Sequence, residues 1–130
     1  MPTKLAGEVN RYAGHGREFG YPTANIATAT KLADGVYFGR ADLAAHKQHP
    51  ALIFIGTPTT VGDTQRRVEA HLLDFPDHDY YGQHLILEVA YYHRANITFG
   101  SVEALLVAMK EDEAAGRAWF ARHPLELPGN

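Results

Sequence analysis

Hydrophobic positions along this chain recur mostly with a period of two. Over residues 84–93, Leu85, Leu87, Val89 and Tyr91 fall on one side while Ile86, Glu88, Ala90 and Tyr92 fall on the other, the alternation of a half-buried strand. Residues 66–75 alternate in the same way, with Val68, Ala70 and Leu72 opposed to Glu69, His71 and Leu73. A glutamate in the middle of such a strand faces either solvent or a site. Residues 51–55 are a continuous apolar run too short for a helix, which predicts a strand buried on both sides. Residues 36–43 predict another strand, and residues 5–12 a short, weakly alternating one. Between them lie turn signals: His46 to Pro50 as a hairpin connection, Val61-Gly62-Asp63, Pro76 to Asp79, and a loop from Ile26 to Ala33 that ends at Asp34-Gly35. Tyr80-Tyr81-Gly82 is expected to reopen the sheet.

Helical spacing appears once, late in the chain. Val102, Leu105, Leu106 and Met109 make the stripe, Ser101 is placed to cap it and Glu103 lies in its first turn. Gly116 continues the stripe where close approach to a sheet is useful, and Trp119 with Phe120 anchors the end. Five or six antiparallel strands with no helix between them are most economically closed into a barrel, which hides the sheet edges. The expectation is a single domain over residues 1–130, with a core from about 5 to 121 and a tail over 122–130.

Composition narrows the functional classes. The chain has 130 residues, 45% hydrophobic and 21% charged, the profile of an ordinary globular domain. Twelve Lys and Arg against fifteen Asp and Glu give a net charge of −3, so electrostatics offers no case for a nucleic-acid partner. No apolar run approaches the ~20 residues needed to span a membrane. The first residues carry no apolar signal core, and there is no cysteine, so a cytoplasmic residence is expected.

One stretch is unlike the rest. Residues 14–25, Gly-His-Gly-Arg-Glu-Phe-Gly-Tyr-Pro-Thr-Ala-Asn, concentrate glycines whose backbone can approach an anion. Pro22 stiffens what reads as a turn carrying Thr23 and Asn25. Two oxygen-bearing side chains beside a glycine loop suit a hard cation such as Mg²⁺ shared with phosphates. The stretch is not a Walker A loop, since no Gly-Lys-Ser/Thr closes it, nor a dinucleotide fingerprint. Taken alone, a Gly/Pro-rich stretch is more often a surface turn. Eight histidines invite a metal site, but their spacings repeat no known ligand set.

Residues 16–25, Gly-Arg-Glu-Phe-Gly-Tyr-Pro-Thr-Ala-Asn, resemble the G-R-x-L-G-F-P-T-A-N signature of riboflavin kinases. Five further segments resemble that family in its order: Asp34-Gly35-Val36-Tyr37, Ile55 to Thr59, Val68-Glu69-Ala70-His71 through Phe75, Tyr81-Gly82, and Phe99 to Leu105 following Arg94. The resemblance spans about residues 7 to 118. It implies a six-stranded antiparallel Greek-key-like barrel with one C-terminal helix. It implies an ATP:riboflavin 5′-phosphotransferase that uses Mg²⁺ with ATP and yields FMN and ADP, working as a monomer.

Carried over residue by residue, the resemblance assigns Gly14 and Gly16 to the phosphate loop and Thr23 and Asn25 to ATP phosphates and Mg²⁺. It assigns Glu69 as the base facing the 5′-hydroxyl, and Arg94 to the flavin edge. His71 shares the strand face of Glu69; it either holds that carboxylate or is a satisfied structural histidine. Three positions depart from the pattern: Asn96 stands where an acid is usual, Tyr12 where the first loop glycine is common, and the turn at Gly56-Thr57-Pro58 is short. Many bacterial relatives carry an adenylyltransferase domain, for which 130 residues leave no room. The competing class is a non-catalytic flavin- or nucleotide-binding module derived from such a kinase.

Overall fold

The computed structural model describes residues 3–10, 23–27, 30–57, 66–76 and 80–124. Among them are six strands and one long helix: β1 (Thr3–Asn10), β2 (Thr23–Ile26), β3 (Gly35–Leu43), β4 (His46–Gly56), β5 (Arg67–Leu72), β6 (His84–Arg94) and α1 (Val102–Arg122). The strands close into a barrel in the order β1-β2-β5-β4-β3-β6, and every neighbouring pair is antiparallel. Closure leaves no unpaired edge.

Alternation decides what fills the barrel. Ala24, Ile26, Ala51, Ile53, Ile55, Val68, Ala70, Leu72, Leu85, Leu87 and Val89 belong to one buried cluster, so the inward sets of β4, β5 and most of β6 are those the period of two predicts. Leu52 points the other way and is also buried, because α1 covers it with Phe38, Leu73, Trp119 and Phe120. Both faces of the apolar run 51–55 are thus accounted for. Gly116 makes the helix contact possible: a Cβ there would stand 2.6 Å from Leu52 Cδ2 and 3.2 Å from Phe38 Cε1. Ser101 caps the helix as expected, its Oγ accepting from the Ala104 amide at 3.1 Å. Val102 does not join the buried stripe; it is 43% exposed.

Other expectations need correction. Thr23 and Asn25 lie on a strand, not on a turn. The hairpin turn falls at Ala44-Ala45, and β4 begins already at His46. Pro50 pairs with Arg40 inside that hairpin; its ring is tolerated because β5 begins pairing only at Ala51. The register between β3 and β6 shifts between Phe38 and Gly39, which pair with Tyr91 and Val89. That bulge carries Tyr91 to the outer face, where it stacks on Phe38 with ring centroids 5.7 Å apart. Tyr80 to Gly82 form a turn, tied to β1 by the Gly82 amide donating to the Val9 carbonyl at 3.0 Å.

Candidate active site

Strand β2 is short, but its register places the two most distinctive sequence motifs side by side. Thr23 pairs with His71 and Asn25 with Glu69. On the far side of β5, His71 pairs with Leu52 and Glu69 with Phe54. Two rows therefore run across the outer face: Thr23-His71-Leu52-Phe38, and Asn25-Glu69-Phe54-Val36-Arg94. Opposed residues on one face stand about 4.5–5.5 Å apart at Cβ, so the four polar side chains make one compact group bordered by aromatic and aliphatic ones.

Three of the four are shielded from water, and Thr23 is half-buried. Glu69 is 8% exposed, His71 and Asn25 3% each. Glu69 therefore does not face bulk solvent. Its Oε1 accepts from His71 Nε2 at 2.6 Å, and the Phe54 ring packs on the imidazole at 4.3 Å between centroids. A hydrogen bond to a carboxylate in such surroundings is stronger than its counterpart in water. Asn25 Oδ1 is buried and has no hydrogen-bond partner among the described residues. A buried carbonyl oxygen left this way is a candidate ligand for a donor or a hard cation.

Arg94 sits in the Glu69 row but three strands away, roughly 14 Å along the sheet at the usual strand spacing. Its guanidinium is held by Asp112 of α1 in a two-pronged pair, Nε to Oδ1 and Nη2 to Oδ2, both at 2.7 Å. Its remaining nitrogen, Nη1, donates to the Ala95 carbonyl at 3.1 Å, and its Cζ lies 5.8 Å from the Phe99 ring centroid. Arg94 therefore braces the segment 95–99. Gly14 and Gly16, with Tyr12 and His15, lie outside the described residues.

Sequence reasoning missed Asp112, which is 1% exposed. A signal was available: it falls between Met109 and Gly116 on the buried face of α1, where an acid needs a partner.

The segment 95–99 is pinned at a second point. Asn96 Nδ2 donates to the Ile55 carbonyl at 2.7 Å, in space that exists because Gly56 has no side chain; a Cβ there would stand 2.1 Å from that nitrogen. Sequence alone expects that restoring the family's usual acid at this position tightens acceptor binding; the contact with Ile55 adds a cost in stability. A carboxylate cannot donate, so Asn96→Glu should lose this hydrogen bond and roughly 1–3 kcal/mol of stability. Chemical denaturation measures it, and an unchanged midpoint would show that Asn96 does not hold the segment.

The Flavokinase family, described as riboflavin kinase, matches residues 1–120 of this sequence. The chain belongs to the riboflavin kinase family. It is 28% identical over 135 residues to the riboflavin kinase of Homo sapiens, covering 98% of this chain and 84% of that one. It is 35% identical over 123 residues to a bifunctional riboflavin kinase/FMN adenylyltransferase of Pseudomonas fluorescens, covering 92% of this chain and 39% of that one. The crystal structure of riboflavin kinase from Trypanosoma brucei has the same fold, with a TM-score of 0.69, 23% identity, and coverage of 92% of this chain and 78% of that one. The chain spans well under two thirds of the length of several relatives it matches. In this chain the pairing of β2 with β5 brings Thr23 and Asn25 beside His71 and Glu69. No helix among the described residues is long and apolar enough to cross a membrane.

Proposed function

We propose that this member of the riboflavin kinase family transfers the γ-phosphate of ATP to the 5′-hydroxyl of riboflavin, giving FMN and ADP. The observation that carries this reading is the register of β2 on β5, which sets Thr23 and Asn25 against His71 and Glu69. Phosphoryl transfer is mostly positioning and charge stabilisation, with one group needed to take the hydroxyl proton. Glu69 is the base, held by His71 in a site that excludes water. Thr23 and the unpaired Asn25 oxygen fit a divalent cation bound with the nucleotide, and Gly14 and Gly16 supply the phosphate loop. That cation would neutralise charge on the phosphate oxygens. Arg94, braced by Asp112, shapes the segment that meets the flavin edge. The same reading has the protein act as a cytoplasmic monomer on riboflavin and ATP, with no nucleic-acid or membrane partner.

A non-catalytic binding module would have no use for a shielded carboxylate beside a nucleotide site, and that argues for the kinase.

Asn25 gives a test in which function and stability part company. Asn25→Leu removes a buried polar oxygen that has no hydrogen-bond partner among the described residues, so it should melt no lower than the wild type. The same change should weaken Mg-ATP binding roughly 10–100-fold, the worth of one contact to a charged group. Thr23→Ala should weaken it similarly and cost at most about 1 kcal/mol of stability from its strand position. Calorimetric titration of Mg-ATP with a thermal melt reads both quantities. Unchanged affinity in both variants would remove β2 from the nucleotide site.

A further inference from the structure

We propose that His71 is the positioning residue of the base: its Nε2–H holds Glu69 Oε1, so that Oε2 is the oxygen presented to the acceptor hydroxyl. The inference rests on the kinase reading and adds to it a residue whose work is geometric.

The hydrogen bond fixes the imidazole's chemistry. A carboxylate acting as a base only accepts, so the kinase reading assigns the proton of this 2.6 Å contact to Nε2. The cross-strand neighbours of the pair lie on β2 and β4. On β2 they are Thr23 and Asn25, and on β4 Leu52 and Phe54; none of the four is charged. Phe54 stacks against the imidazole at 4.3 Å and 39°, which restricts the ring's rotation, while the burial of both partners keeps water from replacing either. Without His71, the carboxylate of Glu69 turns freely about its last bond, and Asn25 is its only polar cross-strand neighbour on β2 and β4.

The step then balances. The acceptor O–H proton passes to Glu69 Oε2 as the acceptor oxygen bonds to the γ-phosphorus. The bond from that phosphorus to the β–γ bridging oxygen breaks, and ADP leaves with the electron pair. Misplacing a reacting group by about 1 Å costs roughly 10²-fold in rate, which sets the size of effect expected from losing the hold.

Two amides distinguish this role from a packing role. The nitrogen of a glutamine at position 71 reaches about as far as Nε2, whereas that of an asparagine stops near Nδ1 and falls short of Glu69. We expect His71→Gln to keep kcat for FMN formation within about 5-fold of wild type, and His71→Asn to lose roughly 10²-fold, with little change in KM for Mg-ATP. Glu69→Gln, measured alongside, separates failures. If it is inactive while His71→Gln and His71→Asn are equally active or equally impaired, the positioning role is wrong and the base stands. If it is fully active, the base reading falls and takes this inference with it, as would an inactive wild type. Nitrogen NMR of His71 in the free protein supplies a readout that needs no turnover. A proton on Nε2 supports the inference, and a neutral ring protonated on Nδ1 overturns it.

Discussion

Glu69→Gln should lower kcat for FMN formation by ~10²–10⁴, the usual worth of general-base assistance. The substitution keeps size and leaves an amide oxygen able to accept from His71, but it cannot take a proton at neutral pH. Because Glu69 is buried, 8% exposed, the variant also tests whether stability and catalysis separate. The hydrogen bond to His71 becomes neutral and weaker, so a loss of up to about 1 kcal/mol is expected. Riboflavin affinity should hardly move, as for an interaction that acts mainly in the transition state. Steady-state kinetics with a thermal melt on the same sample decide it. Near-wild-type kcat would make Glu69 a structural partner of His71 and nothing more.

The largest effect on the fold is expected at Asp112. Its carboxylate is buried and receives both prongs of Arg94, with His93 Nε2 3.4 Å from Oδ1. Removing one member of a buried pair strands the other. Arg94 and His93 are 23% and 25% exposed and recover part of their hydration. Asp112→Ala should therefore cost about 2–4 kcal/mol rather than the full 3–5 of a wholly buried pair. For a chain of this size that is a fall of roughly 10 °C in melting temperature. Arg94 also holds the Ala95 carbonyl, so the folded fraction should show a raised KM for riboflavin with KM for ATP nearly unchanged. Asp112→Asn keeps one acceptor and should lose about half as much. A melt within 2 °C of wild type for Asp112→Ala, about the effect of half a kcal/mol, would show that the Arg94–Asp112 pair does not hold α1 to the barrel.

Much of this was legible in the sequence because closing a barrel enforces alternation. Val68, Ala70 and Leu72 had to face one way, and the register then carries Glu69 and His71 together to the outside. Gly116 was readable as a close approach because only a missing side chain lets α1 settle on Leu52. The misreadings have physical causes. Thr23 to Ile26 looked like a turn because four residues after a proline carry too little pattern to announce a strand, and β2 exists through its pairing with β1 and β5. Tyr91 changed faces because a bulge adds a residue without marking the sequence. The brace on Arg94 was missed because its partner, Asp112, is 18 residues on and meets it only when α1 packs. Pairing of that kind is written in tertiary structure and not in spacing.

The central claim is that the group built on β2 and β5 moves a phosphoryl group to riboflavin. The measurement that reaches it directly incubates the purified chain with riboflavin, ATP and Mg²⁺, separating flavins by chromatography and quantifying ADP in parallel. FMN and ADP are expected in equal amounts over many turnovers, with Glu69→Gln slower by at least ~10²-fold. Riboflavin that binds yet remains unphosphorylated, or ADP released without FMN, would contradict the claim.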